Sequence, residues 1–177
     1  MNLEQDPSQN QLPIDTDLSI ADASETTPTA LAQQLGQIHW REKGQQLLKA
    51  ESWQQAIDCF QQALQFQPLD RGIWQSYCLA FDRLGRYSDV IAAYEQALKF
   101  HPKDATFWYN RGVVLRRMQR YPEAIESYSR AVELRPQLTQ AWYNRGCVLA
   151  EMGQYAEAIA DYDRALELHP DKLNTWY

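Results

Sequence analysis

The stretch DATFWYNRGVVL, residues 104–115, returns almost unchanged as TQAWYNRGCVL at residues 139–149. Its two tryptophans, Trp108 and Trp142, lie 34 residues apart. Such a duplication repeats either a catalytic element or a structural building block, and the remaining tryptophans favour the second reading. Five of the six follow the same step, namely Trp40, Trp74, Trp108, Trp142 and Trp176. The chain is therefore an array of 34-residue units.

Other columns keep the same register when tryptophan is placed at position 4 of each unit. The four complete units are then residues 37–70, 71–104, 105–138 and 139–172, and a fifth begins at residue 173. Position 8 carries a small side chain, position 24 an aromatic ring, positions 20 and 27 mostly alanine, and position 32 proline. Three of these columns are Gly44, Cys78, Gly112 and Gly146; Phe60, Tyr94, Tyr128 and Tyr162; and Pro68, Pro102, Pro136 and Pro170.

This pattern resembles the tetratricopeptide repeat (TPR) family, whose unit is a 34-residue pair of helices. The resemblance covers residues 37–177. It implies an all-α fold, a right-handed α-solenoid of stacked helix-turn-helix hairpins with four full repeats and the start of a fifth. The family's leucine at position 7 is replaced throughout, but the new side chains keep a bulky stem, so the fold prediction stands. The replacements are Lys43, Tyr77, Arg111 and Arg145.

The positions of the apolar residues predict two helices in each unit. At 100° per residue, positions 4, 7, 8 and 11 share one stripe, which predicts a first helix over roughly positions 2–14. Gly85 and Gly153 mark its end in two units. The second helix begins near position 18, where Pro122 fits the first turn. One hairpin cannot bury its stripe alone, so we expect neighbouring units to stack, with each tryptophan in the core.

The charge distribution separates an N-terminal segment from the repeats. Residues 1–36 hold six of the 23 acidic residues and no lysine or arginine, and the composition of residues 1–27 is typical of a disordered tail. Thr27-Pro28 then predicts the start of a long first helix. Residues 37–177 hold 17 acidic and 17 basic side chains. A formally neutral body exerts no general attraction on phosphate backbones, so we expect no nucleic-acid partner.

Several classes of protein are disfavoured by what the sequence lacks. It contains no apolar run of membrane-spanning length and no signal-peptide pattern. Cys59, Cys78 and Cys147 show neither paired nor metal-type spacing, which favours a reducing compartment. No nucleophile-histidine set, phosphate-binding glycine loop or metal motif is present. We therefore predict a cytoplasmic protein that is not an enzyme, with no catalytic residues, metal site, cofactor or membrane partner.

Positions 2, 5, 6, 9, 12 and 13 of the first helix lie opposite its apolar stripe, and in this family that side lines a concave groove. Asn110 and Asn144 share position 6 and resemble the peptide-binding asparagine ladder of protein O-GlcNAc transferase. An amide can pair with a peptide N–H and C=O together, and aromatic residues such as Tyr109 and Tyr143 often anchor interfaces. A solvated face without a ligand remains the alternative. The predicted groove residues are Tyr109, Asn110, Arg116, Arg117, Tyr143, Asn144, Gln75, Arg83, Arg41 and Gln45.

A second mode known in the family, the carboxylate clamp for acidic C-terminal peptides of chaperones, is rejected. That clamp uses lysine and arginine at three of its five positions. The matching residues here largely lack the positive charge, in this register and in the one that starts a repeat later. They are Arg41, Gln45, Ser76, Thr106 and Asn110 in the first register.

The sequence therefore predicts a scaffold that binds an extended peptide or a partner helix in the concave groove. An alternative is that the array is an N-terminal substrate-recruiting or regulatory arm of a larger enzyme, with its catalytic domain beyond residue 177. Because Trp176 and Tyr177 lie inside the first helix of the fifth unit, the second helix of the fourth would be only partly covered. We expect end-to-end contact at this uncapped C-terminal repeat.

Overall fold

The computed structural model describes residues 28–170, with side chains described from His39 onwards. These residues form eight α-helices and no strand, which confirms the predicted all-α solenoid of four hairpins. The predicted tail (residues 1–27) and the partial fifth repeat (173–177) lie outside the described residues. The helices are α1 Pro28–Lys49, α2 Trp53–Phe66, α3 Arg71–Arg83, α4 Tyr87–Phe100, α5 Ala105–Arg117, α6 Tyr121–Leu134, α7 Thr139–Glu151 and α8 Tyr155–Leu168.

The helices stack in chain order, so that each contacts the next along the array. In addition α1 contacts α3 and α5 contacts α7, whereas among the described residues no two second helices contact one another. The first helices α1, α3, α5 and α7 therefore lie on the narrower, inner side of the solenoid. The second helices α2, α4, α6 and α8 form its outer side.

Helix boundaries fall one residue earlier than predicted: the first helices of repeats 2–4 occupy positions 1–13 and the second helices of all four repeats positions 17–30. An aspartate at position 34 of the preceding repeat causes the early start in two of them. The Asp70 carboxylate accepts a hydrogen bond from the Ile73 N–H at 3.1 Å. Asp104 accepts from the N–H groups of Thr106 and Phe107 at 2.8 and 3.1 Å. Both residues are N-caps, so the helix begins directly after them.

The turn between the two helices of a hairpin uses a left-handed backbone conformation at position 15. Gly85 and Gly153 adopt φ of 68° and 79°, as their type predicts. Glu51 and Gln119 occupy the same position with φ of 56° and 58°. A residue with a Cβ is strained in this region, so two of the four turns carry a conformational cost that glycine avoids in the others.

The core depends on close approach between position 8 of the first helix and the ring at position 24 of the second. A Cβ placed on Gly112 would lie 2.7 Å from the Tyr128 ring, which is fully buried. The corresponding distance at Gly146 is 2.8 Å, to Tyr162. The predicted small residue at position 8 is thus the space into which the aromatic ring packs.

The tryptophans at position 4 are predicted to lie in the core, and the four that the structure describes all belong to or pack against the buried clusters, but to different depths. Only Trp74 is buried, at 6% exposure, whereas Trp40, Trp108 and Trp142 are half-buried. The indole N–H needs a hydrogen-bond acceptor, and in repeats 2–4 it finds one on the preceding repeat, in the carbonyl of the position-32 proline. The N···O distances are 2.7 Å for Trp74–Pro68, 2.9 Å for Trp108–Pro102 and 2.9 Å for Trp142–Pro136. This bond holds the indole at the edge of the interface between repeats, over the connecting loop.

The outer face of α8 shows what the next repeat normally covers. At position 21, Ile57 and Ile91 are 3% and 4% exposed because the following hairpin packs on them, but Ile159 is 58% exposed. Tyr155 on the same helix is 67% exposed. End-to-end contact at this repeat stays a prediction.

Candidate peptide-binding groove

Two neighbouring cavities lie on the inner side of the solenoid, between successive first helices. The first, of about 230 Å³, is bounded by α3, α4 and α5 and lined by Gln75, Asn110 and Arg117 among others. The second, of about 320 Å³, is bounded by α5, α6 and α7, and its lining includes Arg116, Arg117 and Asn144. Val113 and Arg117 line both. The structure thus brings five of the ten predicted groove residues to one continuous inner surface.

Asn110 contacts the repeat before its own. Its side chain hydrogen-bonds the hydroxyl of Tyr94 on α4, a ring that is 8% exposed. Burial raises the pKa of Tyr94 far above its ordinary value, although the bond from Asn110 opposes the shift. Tyr94 is therefore a neutral phenol at physiological pH, and Asn110 is held against it.

Asn144 makes an equivalent contact with a different partner. Its amide nitrogen donates to the Tyr109 hydroxyl oxygen at 3.0 Å, linking α7 to α5. Burial of Tyr109 raises the pKa of its phenol, which stays protonated. An asparagine amide offers two N–H groups and one carbonyl oxygen, and this contact uses one N–H. Both asparagines are thus oriented by tyrosines and positioned at the inner cavities.

The two arginines of α5 form ion pairs in opposite directions along the array. Arg116 pairs with Glu151 of α7, with a shortest N···O distance of 2.5 Å. Arg117 pairs with Asp82 of α3 at 3.0 Å. All four side chains are between 32% and 52% exposed. The two predicted groove arginines of α5 are therefore neutralised by carboxylates of the neighbouring first helices.

The other five predicted residues do not line either cavity. Arg41 pairs with Asp70, the cap of α3, at 2.9 Å, and the guanidinium of Arg83 lies 5.9 Å from the centre of the Trp53 ring. The Tyr143 ring packs against the Tyr162 ring with 5.7 Å between centroids. Of the remaining two residues, Gln45 is exposed to solvent. Tyr109 accepts the hydrogen bond from Asn144 but does not line either cavity. Arg41, Arg83 and Tyr143 thus stabilise the repeats themselves.

The arginine of the repeated Tyr-Asn-Arg-Gly motif has a structural role that the sequence analysis does not predict. Arg111 is 8% exposed and donates to Ser127 at 2.7 Å and to Glu95 at 3.0 Å. Arg145 donates to both carboxylate oxygens of Asp161, each at 2.7 Å, and to Ser129 at 2.9 Å. The sequence signal for this role is the charged residue at position 7, where the family usually has leucine.

Cys78 lines the first inner cavity. Cys78 is 1% exposed at position 8 and burial raises the pKa of its thiol, so it is an un-ionised packing residue. Within residues 28–170 no group of three or more His, Cys, Asp or Glu side chains is arranged to hold a metal ion. Of the helices that the structure describes, none has the length and apolar character needed to cross a membrane.

Comparison with known proteins assigns the family. Two family models, both described as tetratricopeptide repeat, match residues 139–172 and 78–139, together more than half of the chain. The chain belongs to the tetratricopeptide repeat family. No curated protein matches it in a comparison of sequences.

Solved structures of other TPR proteins share its fold. The crystal structure of MamA is 18% identical, with a TM-score of 0.72 over 82% of this chain and 85% of that one. A TPR protein from Parabacteroides merdae is 20% identical, with a TM-score of 0.73 over 78% and 56%. The first TPR of Spaghetti (RPAP3), bound to the HSP90 peptide SRMEEVD, is 20% identical, with a TM-score of 0.60 over 67% and 94%.

Proposed function

We propose that this TPR array is a protein-interaction scaffold that binds an extended peptide along its inner groove, across α3, α5 and α7. The observation that carries the proposal is the pair of adjoining cavities, each lined by a tyrosine-oriented asparagine, Asn110 in one and Asn144 in the other. A TPR structure of similar fold holds a peptide, which supports the ligand class.

The asparagines would bind the backbone of the peptide. Each amide can donate to a peptide carbonyl and accept from a peptide N–H, so the contact does not depend on ligand sequence. Each hydrogen bond contributes about 0.5–1.5 kcal/mol net, so several repeats must act together. Because tyrosines already fix both asparagines, little side-chain freedom is lost on binding.

The ion pairs on either side of the asparagines give the groove an adjustable electrostatic character. Exposed pairs such as Arg117–Asp82 contribute only about 0–1 kcal/mol to stability. An incoming peptide carboxylate or polar side chain can therefore replace one member of a pair at small cost. This favours ligands with extended polar segments over strongly charged ones.

The proposed mode differs from recognition of an acidic C-terminus by a carboxylate clamp. Arg41, the cation of the first register, is paired with Asp70. Gln45, Ser76 and Thr106, which complete that register with Asn110, carry no charge. We propose that the ligand is held through its backbone, and that the array acts in the cytoplasm without catalysis of its own.

A selected peptide tests the proposal. A random library of ten-residue peptides is panned against the chain, and the affinity of a selected binder is measured by fluorescence anisotropy. We expect Asn110→Ala/Asn144→Ala to weaken binding tenfold or more, equivalent to about 1.4 kcal/mol. The control Gln62→Ala alters an exposed residue of α2 and should leave affinity unchanged. If the double variant keeps its fold and binds every selected peptide as tightly as the parent, the proposal is wrong.

A further inference from the structure

Repeats 3 and 4 each place an arginine in the groove between consecutive second helices, which we call the outer slot. Arg111 lies in the slot between α4 and α6, bonded to Glu95 and Ser127. Arg145 lies between α6 and α8, bonded to Ser129 and Asp161. Each slot therefore holds one guanidinium and one carboxylate.

In both outer slots the guanidinium also lies over the tryptophan of its own repeat. The guanidinium carbon is 5.9 Å from the Trp108 ring centre for Arg111 and 4.9 Å from the Trp142 ring centre for Arg145. Cation–π attraction to an indole adds to the hydrogen bonds. These two slots show which chemical group the outer groove of this chain accommodates.

The outer slot of repeat 2, between α2 and α4, lacks this arginine. Position 7 is Tyr77, and the two positions that bond the arginine elsewhere are Gln61 and Ala93. All three line an open cavity of about 390 Å³. The rings of Trp74, Phe81 and Phe100 also line it, so the cavity has several aromatic walls.

This open slot keeps one carboxylate. Asp89 lies on α4 one helical turn before Ala93, and it is the only formally charged side chain among the described residues that line the cavity. It pairs with Arg86 at 2.7 Å, and the Arg86 guanidinium lies 4.9 Å from the centre of the Phe81 ring at the edge of the cavity. Both side chains of this pair are 44% exposed, and exposed pairs of this kind are weak. A competing cation can therefore replace Arg86 at the Asp89 carboxylate, and the amides of Gln61, Gln65 and Gln96 also line the cavity.

We infer that the outer slot of repeat 2 binds an arginine side chain of a partner protein, which supplies from outside the group that repeats 3 and 4 supply themselves. The guanidinium would lie against the aromatic wall beside Tyr77 and pair with Asp89. Arginine is enriched at the energetic centres of protein interfaces, and lysine lacks its planar stacking surface. Residues 1–36 contain no lysine or arginine, so this chain's own N-terminal segment cannot provide the group.

The inference is tested by nuclear magnetic resonance on the full chain labelled with ¹⁵N-tryptophan. The reporter is the Trp74 indole N–H, which donates to Pro68 in the cavity wall. The probes are capped pentapeptides of four glycines around a central arginine, lysine, leucine or tryptophan. We expect the arginine peptide to give a saturable shift in the millimolar range, the lysine peptide to bind several-fold more weakly, and the leucine and tryptophan peptides to give no saturable shift.

Two variants define the site. Tyr77→Arg/Ala93→Asp copies the Arg145–Asp161 pair into the open slot and should abolish binding of the arginine peptide. Asp89→Asn leaves the cavity open and should weaken binding at least fivefold, which tests the charge even if the first variant does not fold. The inference is overturned if the arginine peptide gives no saturable shift, if an apolar peptide binds more tightly, or if binding survives Asp89→Asn unchanged. None of these outcomes bears on the inner groove, so this test is independent of the proposed function.

Discussion

Arg145 and Asp161 form a two-point ion pair, in which two guanidinium nitrogens each lie 2.7 Å from a separate carboxylate oxygen. The two side chains are 18% and 6% exposed. The pair joins position 7 of α7 to position 23 of α8, inside the last described hairpin. An aliphatic contact is thereby replaced with a polar one at a position where the family usually has leucine.

Removing one member of this pair should cost much more than removing both. We expect Asp161→Ala to lower the free energy of unfolding by about 3–5 kcal/mol, because the Arg145 charge is left buried without its partner. Arg145→Leu/Asp161→Ala should recover most of that loss, since no buried charge remains. Urea denaturation of the two single variants and the double variant measures the coupling. Additive losses would show that the pair is not coupled.

The left-handed turn of repeat 3 offers a stabilising substitution. Gln119 has φ of 58°, a region that costs an L-residue about 1–2 kcal/mol and glycine almost nothing. After allowing for the greater flexibility of unfolded glycine, we expect Gln119→Gly to raise stability by about 0.5–1 kcal/mol. Gly85→Ala, at the equivalent turn of repeat 2, should destabilise by a similar amount. A fall in melting temperature for Gln119→Gly would contradict the assignment of strain.

The Asp104 carboxylate should make stability depend on acid pH. Burial alone would raise its pKa, but hydrogen bonds from Arg71 and from the Phe107 and Thr106 N–H groups outweigh burial and lower the pKa below the ordinary 3.8. A depressed folded-state pKa stabilises the fold above the unfolded-state value, and the contribution is lost as pH falls through the folded-state value. We expect Asp104→Asn, which keeps a capping side chain, to reduce the loss of stability between about pH 4 and pH 2. Chemical denaturation across that range tests it, and an unchanged pH profile would contradict it.

The indole bond between repeats can be separated from the packing of its ring. Trp108→Phe keeps an aromatic ring but removes the donor to Pro102, for an expected loss of about 0.5–1.5 kcal/mol. Trp108→Ala should cost more, because ring contacts are also lost. Hydrogen exchange of both variants should accelerate mainly in repeats 2 and 3, which Trp108 joins. Equal acceleration in repeat 1 would show that the array unfolds as one unit instead.

The 34-residue repeat predicts the number of helices, their pairing into hairpins and which helices line the inner side of the solenoid. These features depend on the local spacing of apolar residues and on neighbouring repeats of similar sequence. The roles of individual columns were harder to predict. Trp108 was assigned to the core by its size, whereas its N–H requires an acceptor that only the folded loop supplies. The predicted starts of α3 and α5 are one residue late because the repeat pattern does not reveal that Asp70 and Asp104 act as N-caps.

The groove shows the same limit. Asn110 and Asn144 occupy the same position but bond Tyr94 on a second helix and Tyr109 on a first helix, respectively. The partners of Arg111 and Arg145 are likewise exchanged: the carboxylate belongs to the preceding hairpin in one case and to the same hairpin in the other. A column comparison assumes that equivalent residues have equivalent partners, so it could not reveal either difference.

Two consecutive residues of α5 reach in opposite directions, Arg116 to α7 and Arg117 to α3. Straightening of the superhelix would separate the inner helices and lengthen both ion pairs, so both pairs oppose it. Because both pairs are solvent-accessible, dissolved ions weaken them. The pitch of the array, and hence the length of peptide that fits the inner groove, should therefore increase at high ionic strength. Small-angle scattering would detect this as a larger maximum dimension of the protein at high salt.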